Sequence, residues 1–192
     1  MNRFLSIILC GAMVISLASC SSSNTVETIS TTNGTTTTAS ESTAAVTAGA
    51  DFAPDFTFKT TDRTGNEWTE SAFASNKLTM INFWEPWCGP CVSEMPDLAR
   101  LYEAYKDKGF MILGVYSESE MENEVVGILK DSKASYPILK YTPEFDRFMT
   151  GYVPTTVFVD GNGHIIKFED GAESIVGSNT YEGWEAVIKK YL

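Results

Sequence analysis

The chain has 192 residues, 43% of them hydrophobic, with 25 acidic against 14 basic residues and a formal charge of −11. That length holds one ordinary domain plus accessory sequence. A surface so acidic, with no basic run anywhere, repels phosphate backbones and anionic headgroups, which argues against nucleic-acid binding and electrostatic membrane binding.

Three unlike segments follow one another. Arg3 precedes an apolar run over residues 4–18, which is short of the roughly 20 residues that span a bilayer and fits the core of a signal peptide. The run ends in Leu17-Ala18-Ser19-Cys20, and a small-residue site abutting cysteine resembles the bacterial lipobox, where the signal is cut before the cysteine and that cysteine is lipidated. The resemblance implies a signal peptide over residues 1–19 and a lipid anchor on Cys20; the other reading is an uncleaved anchor helix with an incidental cysteine. Two acyl chains on Cys20 give stable anchoring where one does not. Cys10 lies in the discarded segment. Residues 20–50 make the second segment. Of the thirty residues after Cys20, sixteen are Ser or Thr, and no hydrophobic period runs through them. Such a stretch buries too little apolar surface to offset its ordering entropy, so it reads as a disordered tether with a reach of roughly 30 Å.

Residues 51–192 form the third segment, which carries 23 acidic and 13 basic residues and is itself near −10. "FTFKTTDRTGNEWTE" alternates around a polar centre and predicts a β-hairpin. "KLTMINFW" reads as a buried strand. Leu98, Leu101, Tyr102 and Tyr105 recur on one face of a helix that closes at Lys106, Lys108 and Gly109. "FMILGVY" is a second buried strand. Ser117 and Glu120 have capping-box spacing ahead of a stripe of Met121, Val125, Ile128 and Leu129. A short helix over residues 144–149 precedes "TTVFV", the turn residues 160–163 and "HIIKFE", which together predict a hairpin. Trp184, Val187, Ile188 and Tyr191 mark a last amphipathic helix. The order βαβαβαββα, with the extra hairpin in front, is an α/β fold: a central mixed β-sheet with helices on both faces.

Cys88 and Cys91, in "NFWEPWCGPCVSEMP", are the chemistry-bearing pair. A structural zinc site needs four N or S ligands, and beyond this pair and Cys20 the mature chain offers only His164. A haem tether needs histidine after the second cysteine, where Val92 stands. A purely structural disulfide would close a four-residue loop, worth roughly 2 kcal/mol. A reversible redox switch fits best. Cys88 falls where strand gives way to helix, facing the unpaired N–H groups of the first turn, an environment that favours thiolate over thiol. Pro90 suits that turn because its missing N–H would be unpaired anyway. Gly89 is expected to let the backbone turn tightly and leave the sulfur uncovered. Cys91, one turn deeper, reaches Cys88 and would resolve what it captures. Trp87 either walls the sulfur or packs in the core.

"WCGPC" resembles the thioredoxin active site, and the longer pattern, with Glu94 and Pro96 after the pair, is similar to the exported TlpA/ResA-like branch of thioredoxin-like proteins. The resemblance spans residues 52–192. It implies a thioredoxin-like fold, a cis bond between Val153 and Pro154 opposite the cysteines, and a substrate segment pairing with the Val153 backbone. One position departs from the thioredoxin pattern: a buried aspartate is replaced by Asn82, which does not titrate. Glu85 and Glu94 are candidates to move protons for Cys91, with Glu85 the nearer; Pro96 suggests a kink in the helix.

The expected activity is protein thiol–disulfide exchange without cofactor or metal, by a monomer on the extracytoplasmic face of a bacterial cell membrane. The Gly-Pro spacer resembles reducing thioredoxins, at about −270 mV, so a reductase of disulfides in exported proteins is favoured over an oxidase. The resemblance implies a membrane electron donor of the CcdA/DsbD kind, with cytochrome c apoproteins or an exported methionine sulfoxide reductase as candidate clients. Two alternatives stand beside it. A peroxidase of the peroxiredoxin type would have threonine or serine where Glu85 stands, and a Sco-like copper chaperone would have one more residue between its cysteines and would recruit His164.

Overall fold

The computed structural model describes residues 52–192; the expected signal peptide, Cys20 and the Ser/Thr-rich segment lie outside the described residues. A two-stranded antiparallel hairpin, β1 (Lys59–Thr61) and β2 (Glu67–Thr69), comes first, then one turn of helix, α1 (Ser71–Ala74). The hairpin turn is organised by one carboxylate. Asp62 accepts from the backbone N–H groups of Thr64 and Asn66, the Thr64 hydroxyl, the Asn66 amide and the Trp68 indole, all within 2.7–3.0 Å. Burial alone would push its carboxyl up, but these donors hold it well below the ordinary carboxylate range.

The main sheet runs in the order β5-β4-β3-β6-β7. Its central strand, β3 (Leu78–Phe83), is buried at every residue and pairs in parallel with β4 (Phe110–Tyr116), which pairs in parallel with β5 (Ile138–Lys140). On its other side β3 pairs antiparallel with β6 (Thr155–Asp160), which pairs antiparallel with the two-residue β7 (Ile175–Val176). Both edges of β3 are taken and both faces are covered, which is why its sequence is apolar throughout rather than alternating.

The two faces have separate cores. Leu78, Met80, Trp84, Ile112 and Phe158 pack against α2 (Gly89–Tyr105), α3 (Glu122–Ser132) and α4 (Tyr181–Tyr191) through Cys91, Met95, Leu98, Val125, Trp184 and Ile188. Ile81, Phe83, Leu113, Val157 and Val159 face an aromatic cluster of Phe56, Phe58, Phe73, Phe145 and Phe148, supplied by the N-terminal segment, α1 and a 3-10 helix over Pro143–Phe148. Those rings meet at centroid separations of 4.8–6.1 Å, and burying each is worth about 1.5–3 kcal/mol. The fold is thus thioredoxin-like, a mixed sheet with helices on both faces and an N-terminal hairpin.

Two local expectations fail for identifiable reasons. Ser117 does not cap α3, whose N-cap is Met121 with no side-chain hydrogen bond, because the Ser117 hydroxyl and N–H are both held by Glu85. The return strand after β6 is not "HIIKFE" as a unit. Ile165 bridges Val159 and the Ile166 N–H bonds Phe158, but pairing then breaks off until β7. Asp55 competes for that segment: its N–H donates to the Gly163 carbonyl and its carboxylate accepts from the Ile165 N–H. Gly163, at φ +87°, lies so close to Pro54 that a Cβ there would stand 2.5 Å from the proline ring.

Candidate active site

Register creates the site. In the antiparallel pairing of β3 with β6, Phe83 lies opposite Thr155. The loop that leaves β3 toward Cys88 and the loop that enters β6 through Pro154 therefore meet at one end of the sheet. The Val153–Pro154 peptide is cis, and the Val153 carbonyl oxygen lies 3.5 Å from Cys88 Sγ.

Cys88 and Cys91 are joined by a disulfide with Cα atoms 5.3 Å apart. Cys88 is the N-cap of α2, with extended backbone angles, and its sulfur accepts from the Cys91 N–H at 3.2 Å. The first turn accounts for its donors economically: Pro90 has none, and the Val92 N–H goes to the Cys88 carbonyl. Gly89 has an ordinary helical place, and a Cβ built on it meets nothing within 4 Å. The tight turn expected there is not what the position requires; a side chain would instead stand in open space beside the disulfide. Pro96 lies inside α2, which continues past it to Tyr105.

Exposed side chains stand next to Cys88 and Val153 in the chain. Trp87 is 62% exposed, so it is not core packing, and Tyr152 is 73% exposed. Met149 is exposed as well. Cys91 is only 1% exposed, against 5% for Cys88. Trp87 directly precedes Cys88, and Tyr152 directly precedes Val153, whose carbonyl faces the outer sulfur; Met149 shares a small cleft with Val153.

The two candidate acids occupy different places. Glu85 reaches the pair through its backbone, its carbonyl accepting from the Cys88 N–H at 3.0 Å. Its buried carboxylate turns to the β4–α3 loop, where it accepts from the Ser117 N–H and hydroxyl and from the Glu118 N–H at 2.9, 2.5 and 3.1 Å. Glu94 lies one helical turn beyond Cys91 and is 3% exposed. Its carboxylate accepts from the Asn82 amide at 3.2 Å, and from the Asn179 N–H and the Trp184 indole N–H at 3.0 Å each. Burial pushes its carboxyl up; the three donors oppose that shift without cancelling it. Asn82, which marked the departure from the thioredoxin pattern, is therefore tied to Glu94. Asn179, Trp184 and Thr156 were not legible as site residues. Trp184 reads as one member of an apolar helical stripe, and only the strand register places Thr156 opposite Asn82.

His164 stands at the far end of β6 from Pro154, roughly 20 Å along the strand. Its Nδ1 lies 3.6 Å from Asp160. It is too distant to complete a copper site with the two sulfurs, so the Sco-like alternative falls on geometry.

Comparison with known proteins agrees with this architecture. The AhpC/TSA family profile matches residues 50–168. The thiol-disulfide oxidoreductase ResA of Bacillus cereus is 31% identical over 135 residues, covering 69% of this chain and 73% of the relative. The chain belongs to the AhpC/TSA family, among its ResA-type thiol–disulfide oxidoreductases. ResA of Oceanobacillus iheyensis is 34% identical over 125 residues, covering 64% of this chain and 65% of the relative. Among solved structures, a thioredoxin-family thiol:disulfide interchange protein from Chlorobium tepidum superposes with a TM-score of 0.61 at 23% identity, covering 72% of this chain and 95% of its own. StoA from Bacillus subtilis gives 0.53 at 21% identity, covering 70% and 97%. At those identities the two structures speak for the thioredoxin-like fold.

Proposed function

We propose that this chain is a lipid-anchored reductase of disulfides in exported proteins, working on the extracytoplasmic face of a bacterial cell membrane. The observation that carries the reading is the Cys88–Cys91 disulfide at the start of α2, its outer sulfur facing the Val153 carbonyl, with exposed Trp87 and Tyr152 adjacent to Cys88 and Val153 in the chain and exposed Met149 beside Val153. An extended client segment lies along Val153 and Pro154, with its apolar side chains on those three residues.

In the reduced enzyme the Cys88 thiolate, favoured by the first-turn N–H groups, attacks one sulfur of the client disulfide. A Cys88–client S–S bond forms, the client S–S bond breaks, and the departing thiolate takes a proton. Cys91 then gives its proton to the Glu94 carboxylate and attacks Cys88 Sγ, releasing the second client thiol and closing the Cys88–Cys91 disulfide. Two electrons pass to the client. A membrane reductant of the CcdA/DsbD kind returns them. Glu94 is preferred over Glu85 as the proton acceptor because it follows Cys91 on the same buried helix face, whereas the Glu85 carboxylate is committed to the β4–α3 loop.

The anchor rests on Arg3, the apolar run and Cys20, and no helix among the described residues is long and apolar enough to cross a membrane. Two experiments test the proposal. A Cys91→Ser protein should accumulate a covalent Cys88–client adduct that dithiothreitol releases, and the absence of any adduct ends the exchange reading. A Cys20→Ala protein should no longer incorporate palmitate, and continued labelling ends the anchor reading.

A further inference from the structure

The two oxygens of the buried Glu94 carboxylate are held unequally. Oε2 accepts from the Asn179 N–H and the Trp184 indole N–H, both at 3.0 Å. A backbone amide and an indole donate and never accept, so a proton arriving on Oε2 would have nowhere to point. Oε1 has one partner, the Asn82 amide nitrogen at 3.2 Å. That nitrogen also donates to the Thr156 hydroxyl at 3.1 Å, from the directly opposed position on β6. We infer that Glu94 takes up its proton on Oε1, and that the Asn82 side-chain amide then turns over to present Oδ1 in place of Nδ2.

The residue types fit this assignment. With Glu94 ionised, the Asn82 NH₂ donates one hydrogen to Oε1 and the other to Thr156. With Glu94 protonated, Asn82 Oδ1 accepts from Oε1–H, and its second lone pair accepts from the Thr156 hydroxyl, which donates as readily as it accepts. An aspartate at position 82 could not donate to an ionised Glu94, and an aliphatic residue could serve neither state. Asn82 is 2% exposed and Thr156 fully buried, so no bulk water substitutes for either bond. Asn82 is therefore a positioning residue. It holds the proton-bearing oxygen and changes its own orientation with the charge.

The other ionisable groups around Glu94 are few. Along α2 they are Cys88 at its N-cap, Cys91 and Asp97, whose carboxylate accepts from the Tyr181 N–H and pairs with Arg100 at 2.7 Å; ahead of β5 there is the buried Tyr136 hydroxyl, whose ionisation is disfavoured first by burial and then by Glu94. β3, β6 and α4 present Asn82, Thr156 and Trp184, none of which ionises. The inference rests on Glu94 changing protonation in the working pH range, the property on which its proposed partnership with Cys91 depends.

Nuclear magnetic resonance of the full chain tests it, following the Asn82 side-chain NH₂ signals and the Glu94 Cδ signal against pH in the oxidised and reduced forms. The Asn82 signals should move with the Glu94 titration and share its midpoint, and should lose that pH dependence in Glu94→Gln. Asn82→Leu should raise the Glu94 midpoint by about one unit, a tenfold change in proton affinity, because an ionised acceptor loses more than a neutral one when its donor is removed. Asn82 signals indifferent to the Glu94 titration overturn the inference, even if Asn82→Leu fails to fold; so does an unmoved midpoint in a folded Asn82→Leu. If Asn82 follows Glu94 while Glu94→Gln leaves Cys91 kinetics intact, the amide turn stands and only the proton-transfer role of Glu94 falls.

Discussion

Exchanging each buried glutamate for glutamine separates the acid that serves the dithiol from the acid that builds the site. In Glu94→Gln the side-chain carbonyl still accepts from Asn179 and Trp184, and the new amide faces Asn82, which can turn to receive it. Three hydrogen bonds to a charge become neutral ones, a loss of about 1 kcal/mol each. Removing a buried negative charge returns a few kcal/mol. The terms nearly cancel, so the unfolding midpoint at pH 7 should stay within a few degrees of wild type. The sign with pH is fixed: because the folded carboxyl lies above its ordinary value of 4.5, the stability of the wild type relative to Glu94→Gln is greatest below that value and declines as pH rises through the folded pKa. Chemistry should suffer far more than stability. A positioned proton acceptor contributes 10²–10⁴-fold, so the Cys91 step should slow by about 100-fold or more, while the first attack by Cys88 keeps its rate. Rapid mixing of the reduced enzyme with a disulfide-bearing peptide, acid quench and mass analysis of the mixed disulfide resolves the two steps. Glu85→Gln should show the opposite pattern, an unshifted pH–rate profile with a stability loss of about 1–3 kcal/mol from weakened bonds to Ser117 and Glu118. Unchanged resolution in Glu94→Gln, or a shifted profile in Glu85→Gln, refutes this assignment.

Other consequences follow from the same geometry. Asp62→Ala strips five hydrogen bonds from the hairpin turn and should cost about 2–4 kcal/mol near pH 7 in urea titration. Since the folded carboxyl of Asp62 is depressed, its contribution is full above the ordinary carboxylate range and lost as pH falls below it; a difference between wild type and variant that fails to shrink toward pH 2 would contradict the reading. Trp87→Ala and Tyr152→Ala remove exposed rings and should leave the unfolding midpoint nearly unchanged. Each should raise KM for a protein disulfide by roughly 5–20-fold, with little effect on a small aromatic disulfide; equal losses on both substrates would place these rings outside the client surface.

The central strand, the cysteine helix and the last helix were legible because each depends on a local pattern: an unbroken apolar run, a Gly-Pro pair opening a helical stripe, a tryptophan and isoleucine one turn apart. The edge after β6 was not, because its fate depends on Asp55, more than a hundred residues away in sequence. Ser117 failed as a cap for the same kind of reason: Glu85 offered its hydroxyl and N–H a charged acceptor, a stronger partner than a helix end. The site divides likewise. Cys88, Cys91 and Pro90 follow from sequence spacing, but the choice between Glu85 and Glu94 turns on which carboxylate a distant loop has claimed. Asn82 was visible only as a missing aspartate; its bonds to Glu94 and Thr156 depend on strand register and on the helix crossing above it.

Exchange by this dithiol depends most on Cys88 behaving as a stabilised thiolate in the reduced enzyme. Iodoacetamide alkylation of the reduced Cys91→Ser protein, followed against pH by mass analysis of Cys88, measures this directly. Half-maximal reactivity is expected at least one pH unit below the roughly 8.5 of free cysteine; a midpoint at or above that value would contradict a stabilised thiolate.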